Sequence, residues 1–330
     1  MVTYGDKLYI ADKNKVYSVN TSNTLSTTGS ATLDLSFFTG HISWMRAGSN
    51  KIWIGFTKSD GGKGIIFEWD GRSENVWSRN YLIDAQGSSG CSLYNDIPYV
   101  MDVEGRLLAY NGAGFQEVSR LPILQQDAFS NPYIRQIGHK LTHFNGMIFS
   151  NDRLLINVCA TVVQNPVTGQ LNDTIENFPS GVWEYTKENG LVHLMSPSRT
   201  PYSEGSSPTD YGVFKVINAG AIADATTSLD TTPSYTATIA FGAAFTNTSQ
   251  ASTTRFGTFV DDVRGYKSSS YFISSWLDSD QVTDVWNKIV NKYRRLQNTN
   301  DTITVKYRTY KKNAIVVGAT YASTTSLTVN

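Results

Sequence analysis

The sequence predicts an all-β fold made of β-propeller-like repeats, and three observations predict it. Aromatic residues make up 12% of the 330 residues and charged residues only 17%, with 26 glycines among abundant Ser, Thr and Asn. Such a mixture suits pleated strands joined by turns. Short apolar runs recur in pairs across polar or glycine-containing turns. The leading run of each pair begins near Lys7, Lys51, Ile97, Arg153 and Tyr211. That spacing, about 45 to 60 residues, is the period expected of radially repeated sheets.

Each pair can be read in order. In "KLYIADKNKVYSVN", Leu8 and Ile10 alternate, then Val16, Tyr17 and Val19, with the polar turn "DKNK" between them; this is a β-hairpin pattern. "NKIWIGFTKSDGGKGIIFEWDG" sets Ile52–Phe56 against Ile65–Trp69 across a Gly-rich turn. "DIPYVMDVEGRLLAYNGAGF" sets Pro98–Val103 against Leu107–Tyr110 across Glu104 and Gly105. "RLLINVCATVV" and "GVWEYTKENGLVHLM" pair around a polar insert, Gln164–Ser180, and "YGVFKVINAGAIA" with "YTATIAFGAAF" continues the series.

A single hairpin cannot bury its apolar face alone. Stacking twisted sheets around an axis covers both faces of each and protects their edges. A β-sandwich, whose strands also follow one another closely, is the competing architecture. Ser/Thr/Asn/Pro-rich stretches at 20–32, 164–181, 196–210, 223–234 and 246–254 read as loops.

Composition restricts function. Lys plus Arg (28) balances Asp plus Glu (28), whereas a protein that grips phosphates carries a basic excess. The local spot at Lys292, Arg294 and Arg295 reads as a solvated face, so direct specific contact with nucleic acid is not expected. Cys91 and Cys159 have neither zinc nor redox spacing and read as two buried thiols. Met1 leads into "VTYGDKLYIADKN" without a signal-peptide pattern. No apolar run approaches the ~20 residues needed to span a bilayer, and no membrane partner is expected.

The segment from Tyr271 onward is ambiguous. Val282, Val285, Trp286, Ile289, Val290, Tyr293 and Leu296 fall at spacings of three and four, a helical stripe that Ser279 or Asp280 could cap. Yet "YFISSWLDSDQVTDVWNKIVNKYRRLQNTNDTITVKYRT" as a whole resembles a segment of tailed-bacteriophage virion proteins. In these a propeller-like region is followed by an aromatic "SSW" strand, a polar link and further strands. The matching residues here are Ser274, Ser275, Trp276, Leu277 and Asp278, then Trp286, Lys288 and Ile289, then Ile303, Val305, Tyr307 and Arg308. The match covers about 40 residues closely, and the lysine follows the tryptophan here rather than preceding it. The resemblance implies strands, in a small β-sandwich or jelly-roll-like unit built onto the propeller. The expected domains are therefore a propeller-like domain over 1–265 and a β-sandwich-like segment over 266–330. The end of that segment, "NAIVVGATYASTTSLTVN", reads as strands without a cap, which implies continuation or completion by a partner chain.

No motif announces catalysis. "HKLTH" sets His139 and His143 four apart, but its setting reads as strand and loop, with no HExxH and no carboxylate to complete a zinc site. "DDVRG" at 261–265 lacks the alternating ligands of calcium loops. "TKSDGGKGIIFEW" weakly resembles the aspartate turn of sialidases but lacks its threonine. Glycoside cleavage needs two carboxylates about 5–10 Å apart, and Asp60, Asp102, Glu104 and Glu184 cannot be paired from sequence. No catalytic residue, metal or cofactor is expected.

The resemblance implies a non-catalytic structural element of a phage virion, made in the host cytoplasm and placed in the tail. Its partners would be copies of itself in a ring and other virion proteins. Trp276, Trp286, Tyr293 and Tyr307 are the residues expected at inter-subunit or interdomain packing, since buried aromatics supply much of the area at such contacts. A carbohydrate-binding or carbohydrate-cleaving propeller is the alternative.

Overall fold

The computed structural model describes residues 1–19, 31–121, 133–136, 141–150, 152–164, 171–176, 180–197, 214–228, 236–247, 250–260, 302–307 and 322–328. Every regular element among them is a strand. The chain divides into two compact units. The first comprises Met1–Ile123, Gln136–Thr161 and Phe178–Ser275; the second comprises Leu124–Arg135, Val162–Asn177 and Trp276–Asn330.

The first unit holds five antiparallel sheets arranged as a five-bladed β-propeller. Blade 1 consists of β1 (Val2–Tyr4), β2 (Lys7–Asp12), β3 (Lys15–Val19) and β4 (Leu33–Asp34). Blade 2 consists of β5 (Gly40–Ala47), β6 (Ile52–Lys58), β7 (Ile65–Trp69) and β8 (Arg79–Leu82). Blade 3 consists of β9 (Ser88–Tyr94), β10 (Ile97–Asp102), β11 (Arg106–Tyr110) and β12 (Phe115–Arg120). The chain then forms β13 (Tyr133–Gln136) and opens blade 4 with β14 (Met147–Ser150) and β15 (Arg153–Val158). It leaves blade 4 to form β16 (Thr161–Gln164) and β17 (Leu171–Glu176), then completes it with β18 (Gly181–Thr186) and β19 (Gly190–Met195). Blade 5 consists of β20 (Phe214–Ser228), β21 (Thr236–Asn247) and β22 (Gln250–Val260).

Within each blade the strands form a meander in sequence order, and the hairpins read from sequence are present. Ile52 pairs with Trp69 and Phe56 with Ile65; Leu8 pairs with Val19; Leu154 pairs with Tyr185 across the excursion. The turn between β9 and β10 is Asn95–Asp96, both at positive φ (48° and 65°). That is the type I′ geometry whose twist matches the strands, and Asn and Asp tolerate it best after glycine.

The start of each of the first four repeats is shifted by one strand from the sequence expectation, while the fifth, near Tyr211, falls at the first strand of blade 5. Lys7, Ile52, Ile97 and Arg153 begin the second strands of blades 1 to 4 rather than the first. The first strands, β1, β5, β9, β14 and β20, lie next to one another in series and form the inner layer. They escape an apolar pattern because they hold small and polar residues in buried positions, including Ser43, Ser88 and Ser89. Three loop readings also change: β17 lies inside 164–181, β20 runs through Ser228, and β21 and β22 reach into 246–254.

The core consists of separate layers between neighbouring blades, and strand parity assigns each side chain to one layer. Ile52, Ile54, Phe56, Ile65, Phe67 and Trp69 face blade 1, where they meet Tyr9, Val16, Leu33 and Leu35. The intervening Trp53 and Ile66 face blade 3, where they meet Cys91, Val100 and Leu108. Tyr99, Met101 and Leu107 turn the other way, onto Leu154, Ile156, Trp183 and Tyr185 of blade 4. Leu155 and Val182 then meet Ile222, Ile239 and Phe241 of blade 5. A strand buried on both faces reads as a continuous apolar run instead of alternating, which is why "IWIGF" and "IIFEW" look as they do.

In the second unit, β13, β16 and β17 form a three-stranded sheet. There β23 (Thr302–Tyr307) pairs antiparallel with β24 (Ala322–Thr328), Ile303 opposite Leu327 and Tyr307 opposite Ala322. Trp276, Trp286 and Tyr293, with the whole helix-or-strand segment 282–296, lie outside the described residues.

Candidate functional site

Of the four aromatic residues expected at packing contacts, Tyr307 alone falls among the described residues, at the end of β23. The described polar side chains gather instead at the seams between blades, and three groups stand out.

The first is centred on Arg46, near the end of the inner strand β5. Its Nε donates to the carbonyl oxygen of Cys91 in β9 at 2.8 Å. Nη1 donates to Asn145 Oδ1 at 2.8 Å, and Nη2 donates to the Phe144 carbonyl oxygen. Asn145 in turn accepts the Ile222 N–H of β20 at 3.0 Å through its own carbonyl oxygen. One guanidinium thus ties blade 2 to blade 3 and to the segment leading into blade 4, and that segment reaches blade 5. Its described partners are neutral oxygens, and burial pulls the guanidinium below its usual range. A planar fork of five donors suits such a junction better than an ammonium does.

The second lies between blades 2 and 3. Trp53, Tyr81, Tyr110 and Phe115 pack edge-to-face or tilted, with ring centroids 5.1 to 6.1 Å apart. Lys51 sits over the Trp53 ring at 5.1 Å and pairs with Glu68 at 2.6 Å. The Tyr81 hydroxyl is 3.0 Å from the Glu68 carboxylate and 2.9 Å from the Tyr110 hydroxyl. Burial, then these two neighbours, push the Tyr81 phenol above its usual range. The polar groups face one another, so the cluster locks two blades together.

The third joins blades 4 and 5. His193 Nε2 lies 3.0 Å from Ser196 Oγ, and Ser196 Oγ donates to the Ser180 carbonyl oxygen at 2.8 Å. Ser180 Oγ accepts the Val216 N–H of β20 at 2.9 Å. A serine–histidine pair invites a nucleophilic reading. However, the single hydroxyl hydrogen of Ser196 points at Ser180, so His193 Nε2 is the donor to Ser196. An imidazole already protonated on that nitrogen is not poised to take the serine's proton. Nearby, Asn157 Nδ2 donates to the Gly220 and Gly242 carbonyl oxygens at 3.0 and 2.8 Å, fixing the crossing of β20 and β21.

The acidic residues singled out from sequence each have a cationic partner. Asp60 pairs with Lys58 at 3.0 Å and Glu184 with Arg153 at 2.9 Å. Asp102 and Glu104 share Arg106, at 2.6 and 3.4 Å. Asp102 also accepts the backbone N–H groups of Glu104 and Arg106, which shapes the β10–β11 turn. His143 Nδ1 accepts the Asn145 N–H at 3.1 Å, while His139 and 261–265 fall outside the described residues. Among the described residues no three His, Cys, Asp or Glu side chains form a metal-holding group. Among the described residues no helix is long and apolar enough to cross a membrane.

On the surface, Phe37 is 90% exposed and Val76 61% exposed. They flank the ring contact between Phe38 and Trp77, at 5.8 Å, on the loops beside the seam of blades 1 and 2. None of Arg46, Asn157 or the tyrosine pair follows a sequence motif; their roles come from neighbours far away in the chain.

No family model matches the chain, and none of the curated proteins matches it. Among solved structures, the computationally designed Ika8 protein aligns at 17% identity and a TM-score of 0.27 over 56% of each chain. A structure of S. cerevisiae dbp5 bound to nup159 and gle1 aligns at 11% identity and a TM-score of 0.31, over 79% of this chain and 59% of that one. The chain thus spans 56% and 59% of the length of these two structures, under two thirds of each.

Proposed function

We propose that this chain is a structural component of a tailed-bacteriophage virion, placed in the tail, where it serves as a rigid ring-forming or docking element without catalysis. The observation that carries the reading is the use of seam side chains. Apolar layers join blade 1 to 2, 2 to 3, 3 to 4 and 4 to 5, and the side chains of Arg46, Tyr81 and Trp44 hydrogen-bond across the seam of blades 2 and 3. Interiors packed in this way transmit load with little deformation. The likeness of the 271–309 segment to phage virion proteins supplies the biological setting.

The second unit is the docking part of this proposal. It draws on three stretches of chain, two of which leave the propeller around blade 4. Bringing such distant stretches together costs loop-closure entropy, and a preformed propeller lowers that cost. In the proposal the C-terminal part, to which β23 and β24 belong, builds a small β-sandwich or jelly-roll-like unit. Copies of the chain and other virion proteins are its partners, and the virion is its location after synthesis in the host cytoplasm.

Electron microscopy of the purified chain and of the parent particle, with mass spectrometry of isolated tails, tests this. The expected result is a closed ring of copies and recovery of the chain from tails. A chain that stays monomeric at high concentration, is missing from particles, and binds or cleaves oligosaccharides would overturn the reading.

A further inference from the structure

The chain has three Asn-Gly pairs, Asn111–Gly112, Asn145–Gly146 and Asn189–Gly190, and all three are described. In such a pair the backbone nitrogen of the glycine can approach the side-chain amide of the asparagine, because no Cβ stands in the way. The fold treats the three pairs differently. Asn145 is held on both sides: its Oδ1 accepts Arg46 Nη1 at 2.8 Å, and the Gly146 N–H donates to the His143 carbonyl oxygen at 2.7 Å. Gly146 is also buried, tight against Thr142 and His143. Asn189 ends the β18–β19 turn, where its N–H donates to Thr186 Oγ1 at 3.2 Å. Gly190 already stands in the ladder there, opposite Thr186.

Asn111 lies in the exposed turn between β11 and β12. Its Oδ1 accepts two backbone N–H groups, those of Ala113 and Gly114, each at 3.0 Å. Its own N–H donates to the Gly114 carbonyl oxygen at 3.0 Å, so the turn is fixed from both ends. Gly112 is exposed at φ 95°, and no atom of the described residues crowds the place of a Cβ. An amide carbonyl under attack gathers negative charge on its oxygen, and preorganised donors aimed at that oxygen stabilise it. The two N–H groups on Asn111 Oδ1 are such donors.

We propose that Asn111 is a self-modification site, converted in the folded chain to aspartate and isoaspartate. The Gly112 nitrogen gives its proton to hydroxide and bonds to Asn111 Cγ, while Oδ1 takes up the charge under the Ala113 and Gly114 N–H groups. The Cγ–Nδ2 bond then breaks, and Nδ2 leaves with a proton from water as ammonia. Water opens the resulting succinimide at either carbonyl, giving aspartate or isoaspartate; one water is consumed and one ammonia released. Isoaspartate carries the main chain through the former side chain and adds a methylene to the turn. Tyr110 and Phe115 pair across that turn, and both rings pack on Trp53. Conversion at 111 therefore reaches the seam of blades 2 and 3. This inference does not depend on the virion reading.

Peptide mapping by mass spectrometry tests it, on the full chain incubated at mildly alkaline pH both folded and in urea. In the folded chain Asn111 should gain one mass unit about tenfold faster than Asn145 or Asn189, a modest share of what a buried oxyanion donor is worth. An isoaspartyl-specific methyl transfer should label the same peptide. In urea the three rates should converge, with Asn111 no faster than when folded. Ala113→Pro, which removes one donor, should slow Asn111 in the folded chain and leave Asn145 and Asn189 unchanged. Folded Asn111 reacting more slowly than in urea would show that the turn protects it and would overturn the proposal, with or without a folded proline variant. So would faster conversion of Asn145 or Asn189, or a folded Ala113→Pro chain with the parent rate at Asn111.

Discussion

The indole N–H of Trp44 donates to Ser88 Oγ over 2.8 Å, joining the inner strand of blade 2 to the inner strand of blade 3. The ring reaches Ser88 by lying across β6 at Gly55, where an added Cβ would fall inside the indole. A glycine in mid-strand normally costs stability; here it makes room for an aromatic crossing.

Gly55→Ala should therefore destabilise the chain by about 1–3 kcal/mol, the usual cost of overpacking a core. Combined with Trp44→Phe, which gives up the hydrogen bond but frees space, the loss should be smaller than the sum of the two single losses. A double-mutant cycle in urea measures this coupling. Strict additivity would mean that the crossing is not the reason for the glycine.

Replacement of Arg46 should be costly even when charge is kept. Arg46→Lys cannot reach Cys91, Asn145 and Phe144 together, and the carbonyl of buried Cys91 left unpaired costs about 1–3 kcal/mol, whereas the exposed Asn145 and Phe144 oxygens turn to water. Denaturant unfolding should show a loss of about 2 kcal/mol for Arg46→Lys and more for Arg46→Met. The loss should come with faster amide exchange in β9. A lysine variant as stable as the parent would show that the fork geometry is not used.

Asp102 sets a pH dependence of definite sign. Burial pushes its carboxyl above the usual range, against the opposing pull of Arg106 and the two backbone donors. A carboxyl whose folded pKa is raised contributes stability that is fully present below its unfolded pKa and is lost as pH rises through the folded one. The stability advantage of the parent over Asp102→Asn should therefore widen as pH falls from 7 toward the ordinary carboxylate range. Unfolding curves at pH 7, 5.5 and 4.5 read this out, and an advantage that shrinks in acid would refute it.

Cys91 and Cys159 are buried thiols, and burial pushes both up to about 12. The thiolate is the reactive species, so neither should react with a disulfide reagent at pH 8 in the folded chain. Both should react on unfolding in urea. Fast labelling of the native protein would mean that the seams around β9 and the end of β15 open readily.

The middle strands of each blade were legible from the residues because both of their faces are buried. Ile52 to Phe56 and Ile65 to Trp69 must be apolar in either parity, and the turns between them carry their own Gly, Asn and Asp signals. The inner strands were not legible. Ser88–Tyr94 begins with small and polar residues because neighbouring inner strands crowd there and because Ser88 has a partner, Trp44, that lies 44 positions away. β17, "LNDTIE", lacks any apolar alternation, and its strand character comes from pairing with β16.

All-β character, the recurrence of hairpins and the partners of several middle strands are written in the residues, because turn chemistry and apolar patterning act over a few neighbouring positions. Which strand of each repeat lies innermost, and which face of each strand meets which blade, is settled by the stacking of the sheets. That stacking alone decided that Arg46, Asn157 and Tyr81 join blades together. Those outcomes rest on contacts between residues tens of positions apart, formed only once the sheets have stacked, and no local pattern encodes them.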